Sequence, residues 1–168
     1  MKKRCATSRS EIWNELRSWL SSARRVVIAG IGNPLRRDDF VGVHIVRKLR
    51  DRVSRSVYLI ECETVPESFI GPIIKFEPSH VLIIDAALLN QKPGSSKLID
   101  PGQMAVVPPT STHALPLQIF CEYLAGTLEA KIALLGIQPG DASFGEGLTE
   151  EVEKTAEYLT NLLSKVLP

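Results

Sequence analysis

Arg25-Val26-Val27-Ile28-Ala29-Gly30-Ile31-Gly32-Asn33-Pro34-Leu35-Arg36-Arg37-Asp38-Asp39 joins an unbroken apolar run to a glycine turn and then to two adjacent carboxylates. A run that is apolar at both alternations predicts a strand buried on both faces, the kind found in parallel sheets. Just beyond it, Gly42, Ile45, Val46, Leu49 and Val53 recur at helical spacing, with Arg47, Lys48, Arg50 and Asp51 mostly on the other side. Strand, turn and helix in that order open an α/β fold. In such a fold the loop after a parallel strand is where ligands are met.

Working outward, Val57-Tyr58-Leu59-Ile60 predicts a second strand, and Pro66 to Phe76 a short helix weakened by Gly71 and Pro72. Val81-Leu82-Ile83-Ile84-Asp85 is a third strand, apolar until it ends in a carboxylate. After the Pro93-Gly94 turn, Lys97-Leu98-Ile99-Asp100 reads as a shorter edge strand. Pro116 suits the first position of a helix running to about Ala125, because its missing N–H costs nothing there. Lys131 to Ile137 is another buried strand, and Thr149 to Val166 a closing amphipathic helix with Val152, Ala156, Leu159 and Leu163 on one face. Thr149 does not begin a capping box, since position 152 is Val, but Glu150, Glu151 and Glu153 suit the positive end of a helix dipole. Upstream, Ile12, Leu16, Trp19 and Leu20 mark an amphipathic helix packed on the flank, with Ser10 as a candidate cap. The expectation is a three-layer α/β/α fold with a mostly parallel, mixed five-stranded sheet, organised as an N-terminal helix over 1–24 and one domain over 25–168.

Composition excludes several classes of function. A chain of 168 residues is large enough to bury a core without staples, and a formal charge of +1 points to neither nucleic acid nor an acidic membrane surface. Cys5, Cys62 and Cys121 are odd in number and far apart, so neither a disulfide framework nor a CxxC site is written, and a reducing cytoplasmic compartment is expected. No apolar run approaches the roughly 20 residues that span a bilayer, and the basic N-terminus has no signal core after it.

Three polar positions fall where strands give way to loops: Asp39 with Asp38, Asp85, and His113. Loops beyond neighbouring parallel strands converge on one crevice, so these residues can meet despite their separation. Two carboxylates and an imidazole can hold a divalent metal with positions left open, or can supply acid and base groups. Each also has a plainer role. Asp38 or Asp39 can cap the following helix, Asp85 can bond to loop amides, and His113 can be a satisfied loop histidine. Helical periodicity does not separate Asp38 from Asp39. Gly30-Ile31-Gly32-Asn33-Pro34 lacks the third glycine of a dinucleotide fingerprint, with Glu61 and Glu63 the only nearby acids for a ribose; HExxH, GxSxG and P-loop motifs are absent. Cys62 reads as a buried thiol rather than a nucleophile. Arg36 and Arg37 are either solvated or available to a peptide carbonyl or carboxylate.

The ordered set of Gly30 to Asp39, Leu82-Ile83-Ile84-Asp85-Ala86, Ser111-Thr112-His113-Ala114-Leu115-Pro116-Leu117 and Leu135-Gly136-Ile137-Gln138-Pro139 resembles the hydrogenase maturation endopeptidases. These enzymes trim the large subunit of nickel–iron hydrogenases. The Thr-His-x-Leu-Pro-Leu and Gly-Ile-Gln-Pro segments are most similar to the branch serving formate hydrogenlyase and related membrane-bound hydrogenases. The resemblance implies a phosphorylase/hydrolase-like fold and removal of a C-terminal peptide from the large-subunit precursor after nickel insertion. It also implies that Asp39, Asp85 and His113 meet nickel borne by the substrate rather than a permanent cofactor. Asp39 and Asp85 are the catalytic candidates, one of them as general base. A monomer or weak homo-oligomer is expected, with no nucleic-acid partner and no membrane insertion. A competing expectation is a metal-sensing module or chaperone that binds a maturing metalloprotein without cutting it. Two departures stand out: Phe40 where relatives commonly carry glycine, and the extra helix before Arg25.

Overall fold

The computed structural model describes residues 9–104 and 114–168. Its elements are α1 (Arg9–Leu20), β1 (Val26–Ile31), α2 (Val41–Leu49), β2 (Val57–Glu63), α3 (Ile70–Phe76), β3 (His80–Ala86), β4 (Ser96–Ile99), α4 (Pro101–Met104), α5 (Ala114–Thr127), β5 (Lys131–Ile137) and α6 (Glu150–Val166). Short 3-10 turns at Arg37–Phe40 and Pro66–Phe69 lead into α2 and α3. Pro72 falls in the first turn of α3, where no N–H is needed.

The strands form one five-stranded sheet in the order β2-β1-β3-β5-β4. All neighbours are parallel except β4, which runs antiparallel to β5 at the edge. The expected three-layer, mostly parallel sheet is therefore what the chain forms. β1 and β3 are buried at every position, as a strand covered on both faces must be.

Alternation along these strands builds two cores. Val26 and Ile28 of β1, Leu82 and Ile84 of β3, and Leu135 of β5 pack with α1, α2 and α6. Val27, Ala29, Val81, Ile83 and Leu134 pack with α3 and α5 on the opposite face. The N-terminal helix contributes Ile12, Leu16 and Leu20 to the first core, all buried.

Several boundaries differ from expectation for local reasons. α2 ends at Leu49, and Val53 reaches the core from the turn beyond it. β2 continues past Ile60 because Glu61 is held by Arg47 and Arg50 of the neighbouring α2 region, which lets a charged residue stay in the strand. α5 starts before Pro116 and runs to Thr127. The four-residue α4 has no counterpart in the sequence reading.

The sheet order also locates a crevice. The chain leaves β1 for β2 on one side and returns to β3 on the other, so the C-terminal ends of β1 and β3 flank the topological switch point. Gly42 lets α2 sit directly over that point. A Cβ there would lie 2.0 Å from the Ile84 carbonyl oxygen and 2.4 Å from that of Ile31.

Candidate active site

The loop from Gly32 to Phe40 leaves β1 and folds back on itself. Gly32 adopts φ +140°, and a Cβ at this position would lie 1.8 Å from the Asp39 carbonyl oxygen, so the turn needs glycine for both conformation and space. Asn33 Oδ1 accepts from the Leu35 N–H at 2.9 Å, and the Asn33 N–H donates to Asp39 Oδ2 at 2.9 Å. The loop thus orients the second acid by a bond from its own beginning.

The two adjacent acids have separate roles. Asp38 is fully buried and accepts four hydrogen bonds: Oδ2 from Gly140 N, Asp141 N and Thr149 Oγ1 at 2.8, 2.9 and 2.8 Å, and Oδ1 from Thr149 N at 2.7 Å. It ties the loop after β1 to the loop after β5. Asp39 is half-buried, and its other carboxylate oxygen makes no such bond among the described residues. Neither acid caps α2, which has no side-chain cap. The capping reading is corrected here: the following 3-10 turn hands Asp38 to a distant loop and Asp39 to Asn33.

Asp85 is the next-to-last residue of β3 and pairs in register with Gly136 of β5. Its side chain alternates with Val81 and Ile83, on the face covered by α3 and α5. It is 3% exposed, and Oδ1 has no hydrogen-bond partner among the described residues. Burial, and then the charge of Asp39, push the Asp85 carboxyl well above the usual carboxylate range, against a smaller opposing pull from the Ala86 backbone N–H. Asp39, in the loop after β1, and Asp85, near the end of β3, stand at the same end of adjacent parallel strands, and the charge of Asp39 is felt at Asp85.

His113 lies outside the described residues. Among the described residues, no group of three His, Cys, Asp or Glu side chains is placed to hold a metal. The orphaned Oδ1 of Asp85 beside Asp39 does supply oxygen donors of the kind a divalent ion takes.

The other candidates are committed elsewhere. Arg36 Nε donates to the Ala142 carbonyl at 3.2 Å, and Arg37 pairs with Asp141 at 3.4 Å, so both arginines brace the loop after β5. Glu61 is held by Arg47 and Arg50. Burial pushes the Cys62 thiol up to about 12, helped by Glu67, which removes it as a nucleophile at neutral pH. Gln138 has a role that its place in a motif does not disclose. Its Oε1 accepts from the Leu89 N–H at 2.7 Å and so fastens the loop after β3 to the end of β5. The only signal for it in the sequence is a polar residue directly after an apolar strand.

A family model described as HycI, hydrogenase maturation protease, matches residues 43–166. A Methanocaldococcus jannaschii protein provisionally named as a hydrogenase maturation protease, MJ0631, is 36% identical over 156 residues, covering 88% of this chain and 91% of that protein. Hydrogenase 3 maturation protease of Escherichia coli is 28% identical over 131 residues, covering 78% of this chain and 83% of its own. The crystal structure of a NiFe hydrogenase maturation protease, HycI, from Thermococcus kodakarensis superposes with a TM-score of 0.84 at 34% identity, covering 91% of this chain and 98% of that one. An α/β sandwich with this set of likenesses is a peptidase. The chain belongs to the hydrogenase maturation protease family, in its HycI branch.

Proposed function

We propose that this peptidase removes the C-terminal extension of a nickel–iron hydrogenase large-subunit precursor after nickel has been inserted, and that it does so in the cytoplasm. The names of its relatives support the maturation role. The observation that carries the site assignment is the buried Asp85 Oδ1, without a hydrogen-bond partner among the described residues, on a carboxyl that feels the charge of Asp39. A buried carboxylate oxygen without a donor is costly, and a substrate-borne cation relieves that cost.

Asp39, Asp85 and His113 are the residues assigned to meet the nickel, which belongs to the substrate. A carboxylate pair that shares unfavourable charge recognises a precursor that brings a cation and discriminates against one that does not. Docking the metal centre places the adjacent peptide bond at the sheet edge, and this positioning is the enzyme's main contribution. Water then adds to the scissile carbonyl and gives its proton to Asp39 or Asp85. The C–N bond breaks as the leaving amine takes up a proton. Asp85, whose carboxyl holds its proton more tightly than an ordinary carboxylate, is suited to accepting that proton and returning it.

The test is incubation of purified protein with nickel-loaded and nickel-free precursor, read by mass spectrometry. The nickel-loaded form is expected to shorten and the nickel-free form to stay intact. Asp39→Asn, Asp85→Asn and His113→Ala are each expected to suppress cleavage by at least about 100-fold. Wild-type activity in all three variants overturns the site assignment, and an unchanged precursor mass with stable complex formation overturns cleavage.

A further inference from the structure

Six large apolar side chains are exposed among the described residues: Leu35, Val65, Leu88, Ile119, Tyr123 and Phe144. Ile119 and Tyr123 lie on α5, and the other four follow a pattern. Leu35 follows β1, Val65 follows β2, Leu88 follows β3 and Phe144 follows β5. Each parallel strand thus sends one exposed apolar side chain into the loop at its C-terminal end. That edge of the sheet also carries Asp39 and Asp85. Single exposed apolar residues need no explanation, but a set gathered at one edge of the sheet is an interaction surface.

Phe144 is the most exposed of the set, at 81%. Its loop is nevertheless firmly held. The Gly145 N–H donates to the Leu35 carbonyl at 2.9 Å and the Arg37 N–H to the Gly145 carbonyl at 3.0 Å, a short parallel bridge that sets Leu35 beside Phe144 in register. On the other side, the Asp38 N–H donates to Asp141 O at 3.0 Å and the Ser143 N–H to Asp141 Oδ1 at 2.8 Å. An aromatic ring held out to solvent on a pinned backbone loses little conformational freedom on binding, which is the property of an interface anchor.

We infer that Leu35, Val65, Leu88 and Phe144 form an apolar collar that docks the folded body of the precursor around the carboxylate pair, with Phe144 as its anchor. The inference rests on the reading of this edge as the place where a precursor polypeptide is cut. A peptidase that selects one bond in one protein needs contacts beyond the two carboxylates, and this edge carries an exposed apolar side chain in each of the four loops that follow its parallel strands. The occupant is an apolar patch next to the scissile segment. A second copy of this chain is the competing occupant.

The test is steady-state cleavage of nickel-loaded precursor by Phe144→Ser, Leu35→Ser and Phe144→Leu. The serine variants are expected to raise KM about tenfold or more with kcat within about twofold, whereas Phe144→Leu stays within about threefold of the parent in KM. Unchanged thermal midpoints separate this from misfolding. Failure of the wild-type protein to cleave overturns the function proposed above. Cleavage by wild type with unaltered KM in both serine variants overturns the collar alone, as does a fall in kcat at constant KM. A concentration-dependent dimer of wild type that Phe144→Ser abolishes in sedimentation assigns the collar to self-association and also overturns the inference.

Discussion

Asp38 and Thr149 lie 111 residues apart and share two hydrogen bonds, Thr149 N to Oδ1 at 2.7 Å and Thr149 Oγ1 to Oδ2 at 2.8 Å. Thr149 stands at the N-cap of α6, yet its hydroxyl goes to Asp38 and makes no cap bond to the helix. The start of the last helix and the acidic loop are held by one carboxylate.

Replacing Asp38 leaves buried donors behind. Asp38→Ala is expected to lower unfolding stability by about 3–5 kcal/mol, and Asp38→Asn by about 2 kcal/mol, because an amide turns an N–H toward a backbone N–H. Urea midpoints for the two variants measure this directly. A loss below about 0.5 kcal/mol for Asp38→Ala contradicts the latch.

Asp85 makes a pH-dependent contribution of the opposite sense. In the unfolded chain it ionises in the ordinary carboxylate range, whereas in the folded protein burial and Asp39 hold its proton to higher pH. The folded state therefore binds more protons over that interval, and stability falls as pH rises through it. Asp85→Asn is expected to abolish cleavage and yet to be more stable than wild type near pH 7.5, the gain shrinking toward about pH 4. Chemical unfolding at the two pH values decides the point, and a variant less stable than wild type at neutral pH contradicts it.

His80, at the far end of β3, acts the other way. Burial, and then the charge of Lys131, hold its imidazole below the usual range, opposed by the Trp19 backbone. Its Nδ1 lies 3.0 Å from Ser79 Oγ, and the Trp19 ring sits edge-on with ring centroids 4.9 Å apart. The unfolded chain takes up a proton near pH 6.5 and the folded one resists it, so stability is lost as pH falls below about 6.5. His80→Phe keeps a ring against Trp19 and is expected to lose less stability than wild type between about pH 7.5 and 5. Equal losses in the two proteins remove His80 from the acid response.

Glycines separate by what surrounds them. Gly42→Ala places a methyl group against two strand carbonyls at 2.0 and 2.4 Å, and is expected to cost about 3 kcal/mol or to prevent folding. Gly71 in α3 and Gly126 in α5 have nothing within 4 Å of an added Cβ. Alanine at either is expected to be neutral or to stabilise by up to about 1 kcal/mol. Thermal melting of the three variants orders them, and a harmless Gly42→Ala contradicts the close approach of α2.

Much of this fold is legible because its strands are covered on both faces. β1, β3 and β5 write their burial as unbroken apolar runs, and the amphipathic faces of α1 and α6 carry the matching helical period. The illegible parts depend on partners far along the chain. The end of β2 is hidden because Glu61 looks like a loop residue until Arg47 and Arg50 are beside it. Asp38 and Asp39 cannot be told apart from their neighbours in sequence, since the difference is made by Gly140, Asp141 and Thr149. That Asp39 in the loop after β1 and Asp85 near the end of β3 share one edge of the sheet follows from the two strands being adjacent and parallel, which the alternation of elements does predict.

The latch at Asp38 also fixes an order of events during synthesis. β4 leaves the ribosome before β5, the strand it pairs with, and Asp38 waits for donors between residues 140 and 149. A chain that grows from its N-terminus thus holds Asp38 early but lacks the donors that pin it until all but the last helix has been made. The unfinished protein carries the acidic loop without the latch that closes it on the end of the sheet.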